Sequence, residues 1–199
     1  MNNNYFHYWV DSKKDEEIKK FQECIDSYIY FKKDSMLITN KLIRENRNFQ
    51  APKLLKTFLL LFSRDINKLT IAKDTIKSIS VDNINNHFHK YLEVAKLWIN
   101  NDLKNLLNKL ELIIKENPKD IFAIRLFHFN NIFVGIDGKF LDKHKEILSK
   151  WSENDQHYNL LLGMTSYAYE ENNLIDKAKF LAVNSLKQSS NDLWSWHAL

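Results

Sequence analysis

Arg125 and His128 are the side chains whose types and spacing most suggest chemistry. They stand three residues apart, so an α-helix would place both on one face. A guanidinium beside an imidazole can hold a carboxylate or a phosphate. Because Phe127 and Phe129 flank the histidine, a packed histidine bonded to a neighbouring group is the alternative interpretation.

A second candidate is the aromatic group formed by Trp194, Trp196 and His197. One interpretation is packing against the preceding helix and against a further repeat. The other is an exposed aromatic surface that binds a partner or mediates self-association through this end of the chain. We therefore take Arg125, His128, Trp194 and His197 as candidate binding residues.

Two other motifs are weak. His87 and His89 would point to different sides of a helix, which does not favour one shared metal ion. The run 135–139, Gly-Ile-Asp-Gly-Lys, lacks the spacing of a phosphate-binding loop and is predicted to be a turn between helices. We find no defensible catalytic grouping, and we expect no catalytic residues, no cofactor and no metal.

Apolar residues recur every three or four positions along most of the chain, which indicates helices with one buried face. The range 103–114 shows this pattern with Leu103, Leu106, Leu107, Leu110, Ile113 and Ile114. Only three glycines and two prolines occur in 199 residues. Sheets need frequent turns rich in these residues, so the composition favours long helices.

The breaks between the helical stretches are themselves periodic. One series falls at Asp34, Asn67, Asp102, Gly138 and Asn173, in steps of 33, 35, 36 and 35 residues. A second series falls at Pro52, Asn86, Asp120, His157 and Asp192, in steps of 34, 34, 37 and 35 residues. A period near 34 built from two helices is typical of tetratricopeptide repeats.

This pattern predicts an all-α fold, an α-solenoid of about five antiparallel helix pairs. The predicted pairs are 17–31 with 35–46, 51–64 with 67–80, 84–100 with 103–116, 120–135 with 138–151, and 156–171 with 174–188. A last helix opens at Asp192 and is cut short by the chain end, so the chain is expected to be truncated. We expect a segment, 1–16, followed by one repeat domain, 17–199.

Composition limits the function classes. The formal charge of +4 comes from 29 basic and 25 acidic residues that alternate along the sequence, which does not favour nucleic acid. The single Cys24 indicates a reducing compartment, and the start of the chain lacks the features of a signal peptide. The longest apolar run, Phe58 to Phe62, is too short to span a membrane. We expect a soluble, cytoplasmic protein.

The stretch 84–199 resembles the tetratricopeptide repeat protein 38 family. The matching residues are Glu116, Pro118, Asp120, Ala123, Arg125, His128, Gly135, Trp151, Gly163, Met164, Ser166, Tyr167, Glu171, Asp176, Ala178, Asp192, Trp194 and His197. The chain departs from the family at Leu106 and Asn101, where small residues are usual, and at Ser190, which replaces a proline. The resemblance implies an all-α repeat fold of unassigned role and brings no catalytic residues.

The expected function is therefore a protein-interaction scaffold that binds a peptide or a protein on its concave face, and not an enzyme. The alternative is a small-molecule or enzymatic site around Arg125 and His128. RNA binding through the helical repeats is less favoured, because it predicts a basic surface on one side.

Overall fold

The computed structural model describes residues 7–82, 84–135 and 138–199. Within these residues all regular structure is helical, with a short 3-10 helix, η1, at His7–Trp9 and eleven α-helices. The first six are α1 (Asp15–Ile29), α2 (Ser35–Glu45), α3 (Ala51–Phe62), α4 (Ile66–Lys77), α5 (Asn86–Ile99) and α6 (Leu103–Glu116). The other five are α7 (Ile121–Val134), α8 (Gly138–Leu148), α9 (Tyr158–Glu171), α10 (Ile175–Gln188) and α11 (Leu193–His197). The predicted all-α fold is confirmed.

The observed helices follow the predicted ones closely, and the larger differences lie at the ends of α4 and α8. The predicted helices run to residues 80 and 151, whereas α4 ends at Lys77 and α8 at Leu148. Ile79 and Trp151 are buried although they lie beyond the helix ends. The apolar spacing therefore continues past the helical backbone, which is why periodicity overestimates both helices.

The chain divides into two compact units, one up to Leu110 and one from Glu111, with the division inside α6. In the first unit α3 packs against α1, α2, α4 and α5. In the second unit α9 packs against α8, α10 and α11. The prediction of a single domain over 17–199 stays a prediction.

Trp9 and Asp11, which precede α1, pack into the first unit. The Trp9 side chain is completely buried, and its ring centroid lies 5.0 Å from that of Tyr91. The Asp11 carboxylate accepts hydrogen bonds from the backbone N–H groups of Gln50 and Ala51, each at 2.8 Å. Asp11 thus caps α3 from a distant part of the sequence, and no local pattern reveals such a contact.

The first helix of each pair ends near a residue with positive φ. These residues are Phe31 (54°), Arg64 (50°), Asn101 (57°), Gly135 (115°) and Asn173 (58°), which follow α1, α3, α5, α7 and α9. At Asn101, the next N–H, that of Asp102, donates to the carbonyl of Leu97 at 2.9 Å. This bond belongs to the Schellman arrangement, which closes the helix and turns the chain toward the second helix.

Only part of this series follows from residue type. Asparagine and glycine are common at such positions, so Asn101, Gly135 and Asn173 agree with the predicted punctuation. Phe31 and Arg64 are not typical there, because a left-handed backbone costs a residue with a Cβ about 1–2 kcal/mol. At these two positions the packing of the pair overrides the local preference.

We predict that Arg64→Gly stabilises the chain by about 0.5–1 kcal/mol, because glycine adopts the left-handed backbone without the Cβ penalty. Arg64→Ala is the matched control, since it removes the same side chain and keeps the Cβ. The free energy of unfolding is measured by urea denaturation followed with far-UV circular dichroism. Equal stability of the two variants would contradict the prediction.

Candidate functional site

Arg125 and His128 lie on α7 in the second unit. The helix begins after Asp120, whose carboxylate accepts the backbone N–H of Ala123 at 3.0 Å. This cap satisfies one of the free N–H groups of the first turn. Buried residues surround much of α7, so both predicted site residues project into protein rather than solvent.

Trp194 and His197 lie on α11, three residues apart and therefore on one side of the helix. The helix begins after Asp192, whose carboxylate accepts the backbone N–H of Ser195 at 3.2 Å. The same kind of cap thus fixes the start of both helices that carry the predicted residues.

The structure brings all four predicted residues into one cluster. The His128 ring meets the Trp194 ring edge-on, with 4.3 Å between centroids, and the Arg125 guanidinium carbon lies 5.6 Å from the Trp194 ring. The Tyr167 ring lies 5.0 Å from Trp194 and 4.9 Å from His197. The tryptophan is the centre of the cluster, held by a cation–π contact and by edge-to-face aromatic contacts.

Two of these four residues are buried, and the other two are partly or largely exposed. Arg125 and His128 are 1% and 0% exposed, and Trp194 is half-buried over them. His197 is exposed, with its Nδ1 atom 3.7 Å from a carboxylate oxygen of Glu170. A ligand would reach Arg125 or His128 only if the surrounding side chains moved, so their burial does not favour a ligand site at these two groups.

A second histidine, His144 on α8, completes the buried part of the cluster. Its Nε2 atom lies 3.0 Å from Nδ1 of His128, and both side chains are fully buried. Phe140 packs against both rings, with centroids 5.4 Å and 4.6 Å away. The short distance requires that one nitrogen donates and the other accepts, so at least one ring of the pair is neutral.

Burial lowers the pKa of both histidines. For His144 burial is the cause, and the pKa falls to about 3. For His128 burial is the largest cause, and the nearby His144 and Arg125 lower the pKa further. The pair is therefore uncharged in the folded protein near neutral pH.

The sequence interpretation missed His144. Its position four residues after Phe140, within the apolar series Phe140, Leu141, His144 and Ile147, is the available signal. A histidine on an apolar face indicates a buried ring that needs a polar partner.

Asp192 forms a second buried polar group beside this cluster. Its carboxylate is 1% exposed, accepts a hydrogen bond from the Ser195 hydroxyl, and lies 3.1 Å from the Ser185 hydroxyl oxygen. Burial raises the pKa of Asp192, while the serine hydrogen bonds and the positive charge of Arg125 act in the opposite direction. Arg125 thus supplies a counter-charge to the capping carboxylate of α11.

Gly163 on α9 makes room for this carboxylate. A Cβ atom at position 163 would lie 1.7 Å from Oδ2 of Asp192 and 2.8 Å from the Ser195 hydroxyl oxygen. Side-chain atoms do not approach so closely without displacement, so only glycine fits there with the present packing. The start of α11 therefore rests directly on the backbone of α9.

The turn between α6 and α7 is also held by contacts with a distant part of the chain. The Trp151 indole N–H donates to the carbonyl of Pro118 at 2.7 Å. The Lys119 ammonium lies 2.6 Å from the Asp155 carboxylate. Pro118 and Trp151 thus join two turns, and Gly163 lies where α9 meets the start of α11.

The remaining sequence motifs have simple outcomes. His87 lies on α5, with its ring centroid 5.5 Å from that of Tyr8, and His89 is exposed. Across residues 7–82, 84–135 and 138–199 there is no group of three or more His, Cys, Asp or Glu residues that could hold a metal ion. In the predicted turn at 135–139, residues 136 and 137 lie outside the described residues.

No known protein-family model matches the chain. Among the described helices, none has the length and the apolar composition that a membrane crossing requires.

We predict that the unfolding free energy falls as the pH drops below about 6.5, because unfolded histidines bind protons there whereas buried His128 and His144 do not. The loss continues toward about pH 3, where folded His144 titrates. Each histidine contributes at most about 1.4 kcal/mol per pH unit.

The measurement compares urea denaturation at about pH 7 and about pH 5.5 for the wild type and for His144→Gln, which cannot titrate in this range. The variant is expected to lose less stability between the two values than the wild type does. His89→Gln, the same exchange at an exposed histidine, is the control. An identical dependence in His144→Gln would contradict the assignment.

Proposed function

We propose that the protein is a protein-interaction scaffold of the tetratricopeptide-repeat type. Its helix pairs stack side by side into a right-handed α-solenoid, and the surfaces of the stack bind a peptide or a protein. The resemblance to the tetratricopeptide repeat protein 38 family supports this proposal. We further propose that the protein is cytoplasmic and that its role does not involve catalysis. The concave face formed by the first helices of the pairs is the expected binding surface.

The spacing of the positive-φ turns carries this proposal. The five turns lie 33, 37, 34 and 38 residues apart, from Phe31 to Asn173, and each follows the first helix of a pair. A helix pair repeated at this period leaves one apolar side for its neighbour to cover, which is the basis of repeat solenoids. Such folds act mostly by presenting extended surfaces to partners.

The geometry favours this function over a small-molecule or enzymatic site. Such a site needs polar groups that line an accessible pocket. Arg125 and His128 instead lie under Trp194. His128 contacts the buried His144, and the charge of Arg125 acts on the buried Asp192. Their arrangement is that of a polar group enclosed between helices, which stabilises packing.

We also propose that the surface near α11 mediates self-association. Leu193, Trp196 and Leu199 are 51%, 57% and 53% exposed, and the Trp196 indole donates to the carbonyl of Ser190 at 2.8 Å. Apolar side chains grouped in this way are typical of contact surfaces.

The test is affinity capture with the purified full chain from a lysate of the source cells, followed by titration calorimetry with each captured protein in purified form. The proposal predicts at least one protein that binds the chain directly and saturably. A helical repeat protein of similar net charge is the control bait. Direct binding or turnover of a small molecule, together with no protein that binds in the purified system, would contradict the proposal.

A further inference from the structure

A groove of about 600 Å³ lies in the first unit, among α2, α3, α4 and the turn between α1 and α2. Tyr28 and Leu60 are buried at its floor, and Leu59 is half-buried. Phe31 and Ile71 line it with exposed fractions of 42% and 48%. The volume and the apolar lining are those of a site that accepts bulky apolar groups.

Lysines surround this apolar floor. Lys32, Lys33, Lys56 and Lys68 line the groove, and its lining contains no carboxylate. In the part of the chain that the structure describes, none of these four lysines forms an ion pair within 4.0 Å. Lys20 and Lys143, by contrast, pair with Glu16 and Glu146 on their own helices at 3.0 Å and 2.9 Å. The Asp26 carboxylate acts on Lys32 electrostatically from outside the groove lining. The rim therefore presents four lysines without a carboxylate among the lining residues.

The turn that carries part of the rim is held in place. Phe31 adopts a left-handed backbone, and the N–H of Lys32 donates to the carbonyl of Ser27 at 2.8 Å. The Ser35 hydroxyl donates to the carbonyl of Lys32 at 2.9 Å. Because these bonds fix the turn before any partner arrives, binding there loses little conformational entropy.

We propose that this lysine-rimmed groove binds an acidic protein segment, with one or two bulky apolar side chains on the floor and carboxylates against the four lysines. The inference rests on the proposed function for the kind of occupant, and adds its chemistry and its place. The groove is lined by α3 and α1 together with the second helices α2 and α4 and the turn between α1 and α2, and so differs from a surface formed by first helices alone.

The shape of the groove favours a protein segment over other anionic partners. A membrane surface would contact the exposed Phe31 and Ile71 but would not reach Leu60, which is buried at the floor. The phosphates of a nucleic acid would use the lysines and leave the apolar floor uncovered. Apolar anchors flanked by carboxylates match both the floor and the rim.

The experiment uses the full chain and a fluorescein-labelled synthetic peptide in which glutamates flank two phenylalanines, with anisotropy as the readout. Two control peptides replace the glutamates by lysines or the phenylalanines by serines. We expect the acidic apolar peptide to bind at least about tenfold more tightly than either control, and more weakly as salt rises.

Variants locate the binding. Lys32→Glu with Lys68→Glu is expected to weaken peptide binding at least about tenfold, and Ile71→Ser to weaken it without a change of charge. Lys104→Glu with Lys179→Glu, two exposed lysines outside the groove, is the matched control and should bind as the wild type does. Circular dichroism verifies that every variant is folded.

Equal binding of the acidic and basic peptides, or unchanged binding after reversal of Lys32 and Lys68, would overturn the proposal. Tighter binding of single-stranded DNA or of phosphatidylserine vesicles than of the peptide, abolished by the same reversal, would also overturn it. If the wild type and this variant capture a natural partner equally, the proposed binding at the groove is wrong, whereas the scaffold function is still supported. Loss of that partner with the variant supports both.

Discussion

The close approach of α9 to the start of α11 is the constraint on which the packing of the second unit depends. A five-residue helix has little surface of its own to bury, so its position is set by contacts at its first turn. Those contacts require the Asp192 carboxylate to lie against a residue without a Cβ, and Gly163 supplies this space. The capping carboxylate, its serine partners and the nearby Arg125 charge then place Trp194 over His128.

Polar groups are buried in this unit because the helix ends must be satisfied where helices meet. Asp120 and Asp192 are 2% and 1% exposed, and each accepts a backbone N–H of the helix that it begins. The His128–His144 contact gives each of these two buried imidazoles a polar partner between α7 and α8. These hydrogen-bonded groups hold apolar helix surfaces in fixed positions. Residue types that are common in catalytic and binding sites can therefore serve packing instead.

The helices and most of their turns could be predicted, because a 3.6-residue apolar period and capping residues are local signals. Residue type could identify Arg125 and Trp194 as candidate site residues. It could not predict their burial, because burial depends on how α7 and α11 meet. His144, the Asp11 cap and the space at Gly163 depend on partners far away in sequence. The lysine-rimmed groove could not be predicted, because its lysines lie on the turn after α1, on α3 and on α4 and meet only in the fold.

The stability of Gly163→Ala tests most directly the claim that helices meet through joints without spare space. Alanine inside a helix normally stabilises by up to about 1 kcal/mol relative to glycine. The present packing predicts the opposite, a loss of about 1–3 kcal/mol in urea denaturation, and a smaller loss when Asp192→Ala has already removed the opposing carboxylate. A Gly163→Ala chain as stable as the wild type or more stable, or an equal cost in both backgrounds, would contradict the account.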